Sequence, residues 1–599
     1  MTECNSKEPF FTLVLKMRNH PLFQDMALEM VLMLYDIGIG LDVIFLDWEE
    51  YAQELFTVKD YDIYFLSTYL YPIDPDMTRF FTENGDLNFC NYDSSLDYNS
   101  SLGLGQNQWY LEEGKRITPP NSEERIQHYW KWQDYVMTEI NPALFTLTPK
   151  RYVAHWATLE GYNINEDILQ SWGKMSWKTP HPNQTSQMEL ITTDATWENL
   201  NPLLQDDSNE EFISSAIVDP LVWIDSDHRI YPHIATSWTH INDTHVRIHL
   251  REGIKWQADL EGNFTNEYLT AEDVYFTFYC WANLSVDQDS YSWVKEMKIV
   301  DEYTIDFYID ADPGTTENEL YPPYLYYLAK GILPEHYLNQ TQLADGKTPL
   351  TDHYSWSLYN NNKSFGSGMF EYDSFKVVDG SPAYNETTLI INPECWLFNN
   401  LIDKSDMNFE ERFGTKWSLD TLKIKHYHNH LESAFEFLWG NIDIMEVTSY
   451  PENRTLYQSE ESFTVQSKNF GLFSYFGYNL APSRPYIGSR IPCPNDPSMT
   501  IGLAIRKAIS HAINREEINT RIFGGEYAIN NYPLDPTMGV WLNPNIYHYD
   551  YDVAKAKEYL AKVGFISSTT NDSSQKLSII FSEIIILSTI IIVIRRKKS

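Results

Sequence analysis

The sequence predicts an α/β protein of several lobes, carried at a membrane by one C-terminal helix. Three observations predict it. Residues 10–65 alternate between short strand-like apolar runs and segments with helical spacing. The chain has 599 residues, more than one hydrophobic core usually serves, so two to four lobes are expected. A mainly apolar run, 577–594, stands just before a basic tail, 595–599.

The elements follow in order. Phe11–Leu15 reads as a strand, and Phe23–Tyr35 as a helix that ends at Ile37-Gly38. Leu41–Leu46 is a strand, Trp48–Leu55 a helix and Tyr61–Leu66 a buried strand. This order predicts a partly parallel sheet. Residues 86–121 are polar and rich in Gly, Asn and Ser, which predicts a loop. Ser122–Ile140 predicts a helix: Ser122 caps it, Glu123 and Glu124 sit in its first turn, and Pro142 follows its end. Residues 160–190 form a polar connector, after which strand and helix signals run to 565. No short repeat appears, which disfavours a solenoid or propeller.

The two ends place the chain. The run 577–594 carries one charge, Glu583, and as a helix at about 1.5 Å per residue it is about 27 Å long, close to the hydrocarbon thickness. Arg595, Arg596, Lys597 and Lys598 follow it, which puts the tail in the cytoplasm and the bulk outside. Residues 566–576 are a polar stalk. Ten Asn-x-Ser/Thr triplets fit an outside location. Met1–Pro9 is polar and lacks the apolar run of an export signal, so a start upstream of Met1 is expected.

Composition excludes several classes. Acids outnumber bases 84 to 44 and the net charge is −40, the wrong sign for nucleic acid, whose phosphates need clustered Lys and Arg. Cys4, Cys90, Cys280, Cys395 and Cys493 are far apart with no CxxC pair, which excludes a zinc ribbon and disfavours a disulfide framework. His426, His428 and His430 alternate and on a strand would share one face, a pattern able to hold a metal. The surrounding segment reads as a structural strand, so no metal site is expected. No GxSxG, HExxH, P-loop or GxGxxG stands in a suitable context, so neither a catalytic constellation nor a cofactor is expected. Aromatic residues make up 15%, including 18 Trp and 41 Tyr, enough for large cores or for an aromatic-lined cleft.

One stretch narrows the reading. Ile217–Trp256 contains Pro232-His-Ile-Ala-Thr-Ser-Trp238 and then Leu250-Arg-Glu-Gly-Ile-Lys-Trp256, followed by Leu269-Thr-Ala-Glu-Asp-Val274. Gly366-Ser-Gly368, Gly440-Asn-Ile-Asp443, Phe476-Gly-Tyr-Asn479, Ile505-Arg-Lys-Ala508 with Asn514-Arg515, and Tyr551-Asp552 with Gly564-Phe565 come after, in that order. This series resembles the family 5 extracellular solute-binding proteins, the peptide- and nickel-binding type. The resemblance implies a two-lobed α/β fold like that of the periplasmic binding proteins, of the class with an extra subdomain. It implies an extracellular, non-enzymatic, monomeric binder that captures an oligopeptide or oligosaccharide-like solute and delivers it to an ABC permease. A sensory or defective binding module, or a secreted hydrolase, are the alternatives.

The chain order departs from the family's. The segments expected after Gly564-Phe565 match the other end instead: Phe11–Leu15, Gly38-Ile39, Asp47-Trp48 and Asp60-Tyr-Asp62, with residues 140–160 matching the closing segment. The expected organisation is therefore one lobe from 1–145 and 479–565, a connector at 146–185, and a first lobe at 186–478 with a subdomain inserted at about 220–365. Either a circular permutant or a fragment of a tandem protein accounts for that order. The resemblance also implies ligand contacts. Peptide binders of the family hold the ligand amine with an Asp just before an Asp-Pro-Asp-like run, here Asp74-Pro75-Asp76; the matching position is Tyr71, next to Leu70 and Tyr69. Tyr69, Tyr71, Asp74 and Asp76 are ligand-binding candidates, and Trp197 and Trp223 are candidate stacking residues.

Overall fold

The computed structural model describes residues 8–565 except 69–73, 195–199, 205–207, 259–264, 343–364, 381 and 428. The apolar run 577–594, with its stalk and tail, lies outside them. Among the described residues no helix is long and apolar enough to cross a membrane. The chain divides into two compact units. One comprises the described parts of 1–114, 123–150 and 469–599, the other 115–122 and 151–468.

The first unit is built on a five-stranded sheet in the order Ile39–Leu46, Phe11–Arg18, Ile63–Thr68, Phe473–Tyr478, Ala143–Phe145. The first three strands are parallel, and Phe473–Tyr478 runs antiparallel to both its neighbours. Strands near the start of the chain and one from its last quarter thus share a sheet and one core, which runs from Phe11 through Trp132 to Leu560. Buried arginines join the two segments. Arg506 donates to the carbonyls of Ile140 and Ile487, and Arg515 to those of Phe145, Asn530 and Tyr549. Burial pushes these guanidinium groups down to about 9 and about 10, yet both stay charged at neutral pH. Their pairing with carbonyl oxygens satisfies donors that water no longer reaches.

The helix expected over Ser122–Ile140 is α-helical over Glu123–Tyr135 and closes in a wider π turn, Val136–Ile140. The segment expected as loop contains a helix, Gln106–Arg116. Its sequence is polar, and only Asn107, Leu111 and Gly114 are buried, at the spacing of one face. Tertiary bonds hold it. Asn107 accepts from Trp132 Nε1 at 2.9 Å and donates to the Phe81 carbonyl at 2.6 Å. A Cβ at Gly114 would stand 2.7 Å from the Tyr129 ring, so the helix approaches that ring as only glycine allows.

The second unit holds a seven-stranded mixed sheet: Phe370–Val378, Tyr384–Ile391, Thr421–Tyr427, Glu189–Thr193, Ile444–Glu446, Lys150–Trp156, Phe463–Asn469. A separate four-stranded antiparallel sheet joins Ala235–Asn242, His245–Leu250, Thr304–Ile309 and Val294–Asp301. Val246, Ile248 and Leu250 alternate into its core. Trp238, expected to be buried by a turn, is instead on the edge strand. A bulge between Ala235 and Ser237 shifts the register of that strand, so that Trp238 stands opposite the buried Ile248, where it is half-buried. Thr270 caps the helix Ala271–Leu284 in a full capping box with Asp273. Cys90, Cys280, Cys395 and Cys493 are free and buried; Cys4 lies outside the described residues.

Candidate functional site

The second unit gathers aromatic and charged groups around Trp223. Val222–Ile224 and Ile230–Pro232 form a hairpin in which Trp223 faces Tyr231 across the strands. Asp225 shapes the turn: its Oδ1 accepts from the backbone N–H of Asp227 and of Arg229, both at 2.9 Å. The short helix Phe409–Phe413 brings Arg412 and Phe413 to this hairpin. Phe413 meets the Trp223 ring edge-on at 5.1 Å between centroids. The Arg412 guanidinium lies 4.2 Å from the centre of the Tyr231 ring, 5.0 Å from that of Phe413 and 6.0 Å from that of Trp223. Cation–π attraction offsets part of its lost hydration.

Arg412 is 4% exposed. Its Nη1 donates to the Met407 carbonyl at 2.9 Å, while Nε and Nη2 have no hydrogen-bond partner among the described residues. Burial pushes it down to about 10, against the opposing influence of Tyr231 and Asp225, so it is a cation at neutral pH. His233 packs against two of the same rings, 5.3 Å from Trp223 and 6.2 Å from Phe413. Its Nε2 pairs with Asp219 at 2.9 Å, and Asp219 also accepts from Trp396 Nε1 at 2.7 Å. Burial lowers the His233 pKa, and its Nδ1 has no partner among the described residues. The arrangement offers rings packed edge-on and tilted around a guanidinium with donors unpaired among the described residues.

The other candidates are placed as follows. In the first unit, both oxygens of Asp74 accept from Arg125, at 2.7 and 2.8 Å, and the two side chains are 5% and 0% exposed. Arg125 also donates to the Gly114 carbonyl and stacks over Tyr129 and Trp541. Asp76 accepts from the Thr78 backbone N–H and from its hydroxyl, both at 2.9 Å. Tyr69, Tyr71 and Trp197 lie outside the described residues. The alternating histidines do not continue one strand. His426 ends buried on Thr421–Tyr427 beside Thr387, while His430 begins the next helix, capped by Asn429; His428 lies outside the described residues. Among the described residues no cluster of three His, Cys, Asp or Glu is placed to hold a metal. The sequence reading singled out Trp223 and not its neighbours Arg412 and His233. Arg412 stands in Phe409-Glu-Glu-Arg-Phe413, which reads as an ordinary exposed turn of helix.

A model of the bacterial extracellular solute-binding proteins, family 5, middle region, matches residues 229–583. No curated protein matches the chain. Among solved structures, an ABC transporter-associated periplasmic binding protein from Helicobacter pylori, in complex with a peptide, is 20% identical over 63% of this chain and 66% of that one, with a TM-score of 0.38. An oligopeptide-binding protein from Bacillus subtilis, in complex with a nonapeptide, is 17% identical over 65% and 66%, with a TM-score of 0.35. A periplasmic oligopeptide-binding protein from Thermotoga maritima, bound to mannohexaose, is 18% identical over 64% and 63%, with a TM-score of 0.33. The chain spans just under two-thirds of the length of these structures.

Proposed function

We propose that this chain, which belongs to the family 5 bacterial extracellular solute-binding proteins, captures oligopeptide or oligosaccharide-like solutes outside the cell and delivers them to the permease of an ABC importer. The observation that carries the reading is the family match over residues 229–583. The chain works as a binder and not as an enzyme. Closure around a solute requires only that the solute bind the closed state better than the open one.

Within that reading, Tyr69, Tyr71, Trp197 and Trp223 are ligand-binding residues. Asp74 and Asp76 border the segment that carries Tyr69 and Tyr71. The bonds of Asp74 to Arg125 and of Asp76 to Thr78 support a positioning role for both. Residues 1–145 with 479–565 form one ligand lobe and 186–478 the other, with 220–365 as its inserted subdomain. The shared sheet and core of the first unit support the pairing of the two end segments. The run 577–594 anchors the chain, as a monomer, in the cell membrane. A chain ended after Phe565 should then leave the membrane fraction, whereas the full chain stays in it.

Thermal-shift screening of the purified chain against peptide and oligosaccharide libraries tests the function. A ligand at a hundredfold excess over its Kd stabilises the protein by about 2.7 kcal/mol. A library in which no member raises Tm would sink the reading, and turnover of a peptide or glycoside would replace it with a hydrolase.

A further inference from the structure

We propose that the open edge of Arg412 is a subsite for a carboxylate group. A guanidinium presents two N–H groups side by side along its Nε/Nη2 edge, matched to the two oxygens of one carboxylate. Two other arginines among the described residues use that edge in this way. Arg247 gives Nε and Nη2 to the two oxygens of Asp306 at 2.7 and 2.9 Å, and Arg79 gives the same pair to Asp86 at 2.9 and 2.6 Å. In Arg412 the same two atoms are buried and without a partner among the described residues, while Nη1 is taken by Met407.

The surroundings hold the fork ready. Tyr231 stacks on the guanidinium at 4.2 Å, and Phe413 and Trp223 complete an aromatic wall, so the group keeps its orientation with no carboxylate in place. Trp223, Tyr231 and Asp225 are only partly buried, so the cluster borders solvent. Asp225, whose charge acts on Arg412, accepts from two backbone N–H groups of the hairpin turn and makes no hydrogen bond to Arg412. A buried cation with an open edge is costly, and a bound carboxylate relieves that cost. The net charge of −40 gives an anion no long-range attraction, so the contact acts at short range.

The carboxylate is either that of the captured solute, an assignment that rests on the solute-binding reading, or a free small carboxylate. The test measures Tm of the full chain at pH 7.5 while sodium acetate replaces sodium chloride at constant ionic strength. Wild type should gain Tm saturably with acetate. Arg412→Met, which keeps the stem without the fork, should not respond, and neither should Arg412→Lys, which keeps the charge without the fork and serves if the methionine variant folds poorly. Equal shifts in wild type and variants, or no acetate effect in wild type, overturn the proposal. The second arm takes a peptide found by library screening and amidates its carboxylates. Affinity at least about tenfold weaker for wild type alone assigns the site to the solute, and unchanged affinity assigns it to a free carboxylate. Failure of solute capture would leave the acetate response intact, so the two readings fall separately.

Discussion

Asp74→Asn removes one charge of a pair that water does not reach. Arg125 is fully buried, Asp74 is 5% exposed, and the two bonds are 2.7 and 2.8 Å. Coulomb attraction at about 4 Å and an effective dielectric of about 20 is about 4 kcal/mol. Breaking such a buried pair from one side costs about 3–5 kcal/mol, because the remaining charge is left uncompensated. Arg125 keeps the Gly114 carbonyl and its stacking on Tyr129 and Trp541, which places the expected loss near the lower end, about 3 kcal/mol. The measurement is urea unfolding followed by tryptophan fluorescence, with unchanged slope and a lowered midpoint. Asp74→Asn combined with Arg125→Met removes the orphan charge and should cost less than Asp74→Asn alone. A loss below about 1 kcal/mol for Asp74→Asn, the value of an exposed ion pair, would refute the reasoning.

Two further outcomes follow from local geometry. His155 is buried; its Nδ1–H donates to the Trp156 carbonyl, and its Nε2 accepts from Gln466 Nε2 at 3.2 Å. Gln466 is fixed in that orientation because its Oε1 accepts from the Ile164 N–H, so His155 is held neutral and burial lowers its pKa below the ordinary 6.5. The unfolded chain then takes up the proton first. His155 therefore contributes stability in full above pH 6.5, and that contribution is lost as pH falls from there through the folded value. The Tm of wild type should drop more steeply below pH 6.5 than that of His155→Phe, and parallel profiles would exclude the mechanism. Gly440 caps the helix His430–Trp439 at φ +84°, and a Cβ there would stand 1.9 Å from the Pro182 carbonyl. Gly440→Ala should cost about 3 kcal/mol in chemical denaturation. Gly440→Asn should fare no better, since the clash outweighs the tolerance of Asn for that φ; full stability in either would show that the turn at Pro182 yields.

Elements whose signal is local were legible. The strand and helix runs between Phe11 and Leu66 carry their own periodicity, and Thr270 with Asp273 announces a capping box within four residues. The order of short motifs identified the family although each motif alone was weak. Elements held by distant partners were not legible. Gln106–Arg116 is helical because Trp132 and Phe81 hold Asn107 and because Tyr129 packs on Gly114. The histidine run broke at Asn429, whose Oδ1 accepts from Glu432 N at 3.0 Å; an Asn before an amphipathic decapeptide was the available signal. Arg412 offered no such signal. Its burial comes from Trp223 and Tyr231, on a hairpin far earlier in the chain.

The treatment of buried arginines bears on why that residue matters. Arg125 is answered by Asp74, Arg251 by Asp406 at 2.8 Å, and Arg506 and Arg515 by backbone carbonyls. Arg490 leaves only Nε open and gives Nη2 to Asp93. A chain with 84 acidic side chains has ample means to close one more fork. Asp225 comes near enough to influence Arg412, yet the hairpin turn engages it elsewhere. Leaving a guanidinium edge open in a cluster that borders solvent sacrifices stability unless an acceptor arrives from outside the fold. The rings of Tyr231 and Trp223 make the sacrifice tolerable when the edge is empty, and they add stacking area when it is filled. A carboxylate subsite recessed among aromatic rings also reconciles a strongly acidic surface with an acidic ligand group, because the repulsion acts at the surface and the pairing acts only on contact.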